Sequence, residues 1–414
     1  MIHPGTLEGV CVLFYIREVR AILRGRYVAD SLHGISVDTG IVTDGDVIVA
    51  VGSYDDIARD YSTLAVRDFD GILCPALINA HTHLELSAFR KDQFHHSDFV
   101  DWVIKLVDTR MSMISVDQRP ECLRAKREAE EKGTCYFVNV GNDFELNTSL
   151  GNNQLFAFEQ IGINDSSAAR IFDRSSELAS RRNGTPTALA VHAPYSVSPR
   201  LMKDIKSFNN RRGAVTSIHL AETADEVEFI RSGSGRIADL LTYRVGNWEF
   251  KASGVSPVEH VDSLGLLDDK TLCVHCVHVD DKDIGIMKSR GSAVAVCLRS
   301  NMELSGIAPP VGKFLKGGVR ILIGTDSKAS SPDIDMFAEL AGFYAEFHGL
   351  MNPARVFGAA TSDAAEFLGI EEQYGSIAQG KKASIVYVPF DGRKEDAFEF
   401  LVTASNAKMI TVES

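Results

Sequence analysis

The hydrophobic pattern of the chain changes period near residue 71. Before that point, short runs alternate apolar and polar residues around Gly and Asp: VCVLFYI (10–16), ILRGRYVA (22–29), HGISVDTG (33–40) and DVIVAVG (46–52). Side chains alternate across a sheet, so this period of two with turn residues between the runs predicts antiparallel strands. From residue 71 apolar, strand-like runs alternate with helical patterns instead. The runs fall at 72–80, 134–140, 154–158, 187–192, 214–220, 271–277, 293–297 and 319–325. Between them, Phe99, Trp102, Val103, Leu106 and Val107 keep helical spacing behind Asp98 as N-cap. Ser198 and Pro199 open a second helix as N-cap and first helical residue. The stretch 221–270 is longer than the other connections and predicts extra helices. A helical stretch at 352–368 follows, and then short strands return at YGSIAQG, KKASIVYV, FLVTA and KMITV.

Eight strand–helix units predict an α/β chain folded as a (β/α)8 TIM barrel over residues 71–370. Residues 1–70 and 371–414 are expected to form one composite small domain, a β-sandwich built from both chain ends.

Composition narrows the function classes. The 414 residues are 45% hydrophobic and 24% charged, ordinary for a globular protein with a large core. A formal net charge of −13 argues against nucleic-acid and membrane partners, which need basic surfaces. No run approaches the roughly 18 apolar residues of a membrane span. VCVLFYI is followed by Arg17 and Glu18, so it reads as a strand rather than a signal peptide. Seven scattered cysteines fit free thiols in a reducing cytoplasm.

The chemistry lies at the strand ends. The first ends in His81 and His83, the fourth in His192, the fifth in His219, the sixth in His275 and the eighth in Asp326. In a (β/α)8 barrel these ends meet at one mouth. His81, His83, His219 and Asp326 make an N/O donor set suited to one divalent metal, Zn2+ first, with Fe2+ or Mn2+ as alternatives. Such a metal brings water toward ionisation at neutral pH. Glu222, three residues after His219, is placed to shuttle a proton, and His275 to hydrogen-bond the attacking water or the developing oxyanion. The blander readings are a helix-start carboxylate for Glu222 and a core histidine for His192. His3, His33, His95, His96, His260 and His348 have no partners in the pattern and read as surface residues.

Two other motifs lose their first appeal. CVHCVH (273–278) mimics a metal knuckle, but on a strand Cys273 and Cys276 point to opposite faces. SGSGR (232–236) follows a helix rather than a strand and lacks the context of a phosphate loop.

NAHTH, HLAET, VHCVH, RSNMEL and GTDS, in this order, resemble the amidohydrolase superfamily, in particular its cytosine-deaminase and chlorohydrolase branch. The resemblance spans nearly the whole chain. It implies a mononuclear metal site held by His81, His83, His219 and Asp326. It also implies that Glu222 protonates a ring nitrogen, that His275 stands beside the attacking water, and that Asp326 relays the water's proton to the leaving amine. HTHLELS, VHAPYSVSP and SPVEHVDSLG narrow the resemblance to adenosine-type deaminases that act on 6-aminodeoxyfutalosine in menaquinone biosynthesis. Relatives of that type use 5′-methylthioadenosine, S-adenosylhomocysteine or adenosine. The resemblance then implies a purine nucleoside as small-molecule partner, with His192 against the purine and Glu85 on the ribose hydroxyls. Arg90, in the loop after the first strand, is a candidate for a substrate carboxylate. Ala76, Leu298, Lys328 and Ser331 depart from the usual residues of the branch, the last two beside Asp326. Hydrolysis of an s-triazine or cyclic amide, or a non-catalytic binding barrel, are the rival expectations, and a homodimer is left open.

Overall fold

In the computed structural model, residues 15–16, 20–113, 115–181, 184–404 and 408–412 are described. His3 and most of VCVLFYI lie outside them. Among the described residues, fifteen strands form two sheets. The first sheet contains Tyr15–Ile16 (β1), Arg20–Asp30 (β2), Gly34–Asp44 (β3), Val47–Ser53 (β4), Ala65–Pro75 (β5), Ile385–Pro389 (β14) and Lys408–Val412 (β15). Its order is β1-β15-β14-β5-β2-β3-β4, so strands from both chain ends interleave. The sheet is mixed rather than wholly antiparallel. The helix Tyr54–Asp60 carries the chain back across it, and β5 then pairs with β2 in parallel. Neighbouring residues such as Ile22 and Leu23, or Ile41 and Val42, enter separate apolar clusters, as alternation across a pleated strand requires.

The second sheet is the barrel. Leu77–Thr82 (β6), Thr134–Gly141 (β7), Gln154–Gln160 (β8), Thr187–Val191 (β9), Thr216–Leu220 (β10), Thr271–His275 (β11), Ala293–Val296 (β12) and Arg320–Ile323 (β13) lie side by side in sequence order. Every recorded pairing among them is parallel. The ring is drawn closed between its first and last strands: the N–H groups of Thr325 and Asp326 both donate to the His81 carbonyl at 3.0 Å. That approach depends on Gly324, where a Cβ would lie 2.7 Å from the His81 nitrogen and 2.9 Å from its carbonyl oxygen. The strands and the surrounding helices share one apolar core.

Four expected strands need correction. The run at 72–80 is two strands. Up to Pro75 the chain pairs with β14, Ala76 N–H donates to Ser384 O, and Leu77 N–H already donates to Gly133 O in the barrel. Both pieces are buried throughout their junction, so hydropathy carries no mark of the handover. FLVTA belongs to the helix Ala397–Thr403, whose Ala397, Leu401 and Val402 are buried at helical spacing. YGSIAQG forms no strand, and only the IVYV part of KKASIVYV does.

The helices begin as read. Asp98 caps Phe99–Ser112 through the Asp101 N–H, and Ser198 caps Pro199–Arg212 through the Leu201 N–H. The long connection holds three helices, Ala224–Ser232, Arg236–Val245 and Pro257–Ser263, with SGSGR as the turn between the first two. Among the described residues no helix is long and apolar enough to cross a membrane.

Candidate active site

The C-terminal strand ends bring the histidines and Asp326 together. His81 is wholly buried, and neither of its ring nitrogens has a hydrogen-bond partner. Its Nε2 and that of His83 each lie 3.7 Å from Asp326 Oδ1. The Nε2 atoms of His83 and His219 face each other at 3.3 Å. His219 Nδ1–H donates to the His192 carbonyl at 2.8 Å, so Nε2 carries the lone pair toward this point. Asp326 divides its carboxylate: Oδ2 accepts from Ser300 Oγ at 2.6 Å and Ser330 Oγ at 2.9 Å, which leaves Oδ1 toward the imidazoles. Buried donors without partners are costly. His81, His83 and Asp326 form one group able to hold a cation, and His81 and His219 share a second with His275, so these imidazole nitrogens and the carboxylate oxygen fit a divalent cation, with the serines fixing the carboxylate behind it.

The backbone at these strand ends is sharply turned. Ala221, His275, Cys276 and Asp326 have φ of +50°, +73°, +49° and +59°, a region that residues other than glycine seldom occupy. Asp326 is held in it by the bond to His81 that closes the barrel. The turn at 275–276 also overturns the strand reading of CVHCVH. β11 stops at His275, and the Cys276 N–H turns to the carbonyls of Leu220 at 3.0 Å and Val274 at 3.1 Å, so strand alternation does not extend through Cys276. The six described cysteines are free and buried.

Beside the donor cluster stands Glu222, 8% exposed, with Oε1 3.5 Å from His275 Nε2. Burial, reinforced by the negative charge of Asp326, pushes its carboxyl well above the usual range. Asn301 Nδ2 donates to His275 Nδ1 at 3.1 Å, which leaves the His275 proton on Nε2, toward Glu222. Burial lowers His275 to about 3, so its ring is neutral at physiological pH. Glu226 steadies the turn that carries Glu222. The spacing from the N-cap Thr223 suggests an ordinary capping box. Instead its two oxygens accept the Ala221 N–H at 2.8 Å and the Glu222 N–H at 3.0 Å, outside the helix.

The substrate-side residues are less uniform. His192 is half-buried beside His219, its Nδ1 2.6 Å from Ser196 Oγ. Glu85 is buried and already engaged. Its Oε2 accepts from Asn142 N, Asp143 N and Asn147 Nδ2, and its Oε1 from Arg110 Nη2 at 2.6 Å. Arg90 is not brought to this group; its side chain is 68% exposed beside Asp92. Of the serines near Asp326, Ser330 rather than Ser331 reaches it. His260 is buried against Phe250, not at the surface.

Sequence reasoning passed over Glu226, Ser300, Ser330, Asn301, Arg110 and Glu159. Glu159 had a signal, a charged residue near the end of an apolar strand, but the run 154–158 stops one residue short of it.

Residues 155–412 match the family model described as the amidohydrolase family. A 5-methylthioadenosine/S-adenosylhomocysteine deaminase of Carboxydothermus hydrogenoformans is 29% identical over 392 residues, covering 90% of this chain and 84% of that protein. The structure of Helicobacter pylori aminofutalosine deaminase in complex with methylthio-coformycin superposes with a TM-score of 0.82 at 23% identity, covering 94% of this chain and 97% of that one. An adenosine deaminase from Xanthomonas campestris with bound zinc superposes with a TM-score of 0.74 at 23% identity, covering 91% and 88%. The two structures share the barrel and its companion sheet with this chain. The family model spans more than half of the sequence and takes in the last six of the eight barrel strands, and on that match the chain belongs to the amidohydrolase family.

Proposed function

We propose that this enzyme is a metal-dependent hydrolytic deaminase of adenine nucleosides, replacing the 6-amino group by an oxo group with release of ammonia. The observation that carries the reading is the buried carboxyl of Glu222. The backbone N–H of Glu222 is held by Glu226, and its carboxyl lies against the neutral His275, at the edge of a converging His/Asp donor set. The name of the 29% identical relative agrees with an adenosine-type substrate.

A divalent ion held by His81, His83, His219 and Asp326, zinc first, supplies Lewis acidity that lowers the pKa of water toward neutrality. The chain's residues do the rest. Glu222, whose pKa burial raises well above the usual carboxyl range, delivers a proton to ring nitrogen N1, which makes C6 electrophilic. His275 Nε2–H donates to the oxygen arriving at C6. Asp326 Oδ1 takes the proton released by water and returns it to the departing amine, while Ser300 and Ser330 hold its other oxygen. His192 orients the purine.

6-Aminodeoxyfutalosine is the substrate we assign, ahead of 5′-methylthioadenosine, S-adenosylhomocysteine and adenosine. The test is loss of adenine absorbance with metal-replete enzyme across these four, guanine and cytosine. A tenfold or greater lead in kcat/KM for 6-aminodeoxyfutalosine, about 1.4 kcal/mol of discrimination, supports the assignment. A lead for another nucleoside moves it. Failure of every nucleoside sinks the deaminase reading. Glu222→Gln is expected to retain metal and lose nearly all turnover.

A further inference from the structure

Glu159 is the penultimate residue of β8 and is only 6% exposed, yet its Oε1 has no hydrogen-bond partner. From β8 its side chain passes the intervening β9 to come within 3.6 Å of His219 Nδ1 on β10. It does not hold His219, because the Nδ1 proton is given to the His192 carbonyl at 2.8 Å. The other oxygen, Oε2, accepts from Asn142 Nδ2 at 3.1 Å.

Asn142 and Arg110 tie this carboxylate to Glu85. Arg110 Nη1 donates to Asn142 Oδ1 at 3.2 Å, and its Nη2 to Glu85 Oε1 at 2.6 Å. Asn142 N–H donates to Glu85 Oε2 at 2.9 Å. The two carboxylates are thereby fixed as a pair, and their acceptor capacity is unequal. Glu85 Oε2 already takes three donors and Glu85 Oε1 one, whereas Glu159 Oε1 takes none. A buried acceptor left open is costly unless a ligand fills it. Glu85 and Asn142 line one cavity of about 1110 Å³, and Asn142 and Glu159 line another of about 310 Å³, so Asn142 is common to both.

We propose that Glu159 is a substrate-selecting residue: its open Oε1, together with Oε1 of Glu85, accepts hydrogen bonds from the vicinal hydroxyls of a ribose. This rests on the reading of the site as an adenine-nucleoside deaminase. It assigns to the Glu85–Glu159 pair the choice of ribonucleoside over deoxynucleoside. A site built to bond a hydroxyl discriminates strongly against the analogue that lacks it, because its own acceptor is then left unpaired.

The experiment compares wild type, Glu159→Ala and Glu159→Gln on the best adenine ribonucleoside of the panel and on its 2′-deoxy and 3′-deoxy counterparts, with metal content measured for each. Expected is a fall of roughly 10- to 100-fold in kcat/KM for the ribonucleoside, carried by KM, with little further loss on the deoxy compound that lacks the facing hydroxyl. The bound metal should be unchanged. Equal losses on all three substrates, unchanged discrimination, or loss of metal would each overturn the proposal, the last by making Glu159 a support for His219. If wild type deaminates no adenine nucleoside, the reading beneath it falls as well. Activity without selection by Glu159 overturns this proposal alone.

Discussion

Asp326 presents one oxygen to the imidazoles and surrenders the other to two serine hydroxyls. Groups behind a metal ligand set its orientation and basicity, and removing them typically costs 10- to 100-fold in affinity. Ser300→Ala is therefore expected to weaken metal binding by about 10-fold or more while the fold is retained, as read by chelator competition and circular dichroism. Glu226 acts on Glu222 in the same indirect way. Glu226→Gln exchanges one acceptor oxygen for an amide donor facing a backbone N–H. It should lower kcat at least tenfold with metal content and KM nearly unchanged, and a wild-type kcat would remove the clamp from the mechanism. The grouping of the histidines and Asp326 was legible because strand position alone brings such residues to one mouth. The difference between Ser330 and Ser331 was not, since it depends on the turn that follows Asp326 at φ +59°. Arg90 stays exposed beside Asp92 and Arg110 reaches Glu85 for a related reason. Proximity in sequence to the first strand says less than the direction of the next helix, whose last turn carries Arg110 to Glu85.

At the scale of elements, the tightest fit is Gly324 against His81. A methyl group at that point meets backbone atoms that cannot rotate away. Gly324→Ala should cost at least about 2 kcal/mol, within the usual range for overpacking, and should loosen the metal site with it. A thermal melt unchanged from wild type would show that the eighth strand can shift. The cap at Asp98 is a milder case. Asp98→Ala removes the acceptor for the Asp101 N–H and should cost about 1 kcal/mol, measured by urea denaturation. Alternation of strand and helix was readable over most of the chain because each barrel strand is a compact apolar run between capped helices. It failed where burial is uniform or the run is short. The β5–β6 junction is apolar on both sides of Ala76, and FLVTA is too brief to separate a period of two from one of 3.6.

Over the whole molecule, the proposed ligands come from the first, fifth and eighth barrel strands, so an ion held by them spans the ring. Binding to the folded state alone contributes stability of about 4 kcal/mol at a thousandfold excess over Kd. Chelation should lower the melting temperature by several degrees, and zinc should restore it. An identical melt with and without metal would mean that the four residues do not share an ion.

The two amides donating to the His81 carbonyl have a consequence in time as well as in space. Thr82 and Asp326, which also meet through a hydrogen bond at 2.9 Å, are 244 residues apart, so the ring cannot close on the ribosome until its eighth strand has emerged. The earlier strands must wait with a bare edge, a condition that invites pairing with other chains. Two of the proposed ligands lie at the start of this interval and one at its end. A nascent chain arrested before residue 320 would therefore carry three of the four imidazole and carboxylate donors and still lack the carboxylate, the seam and the chemistry together.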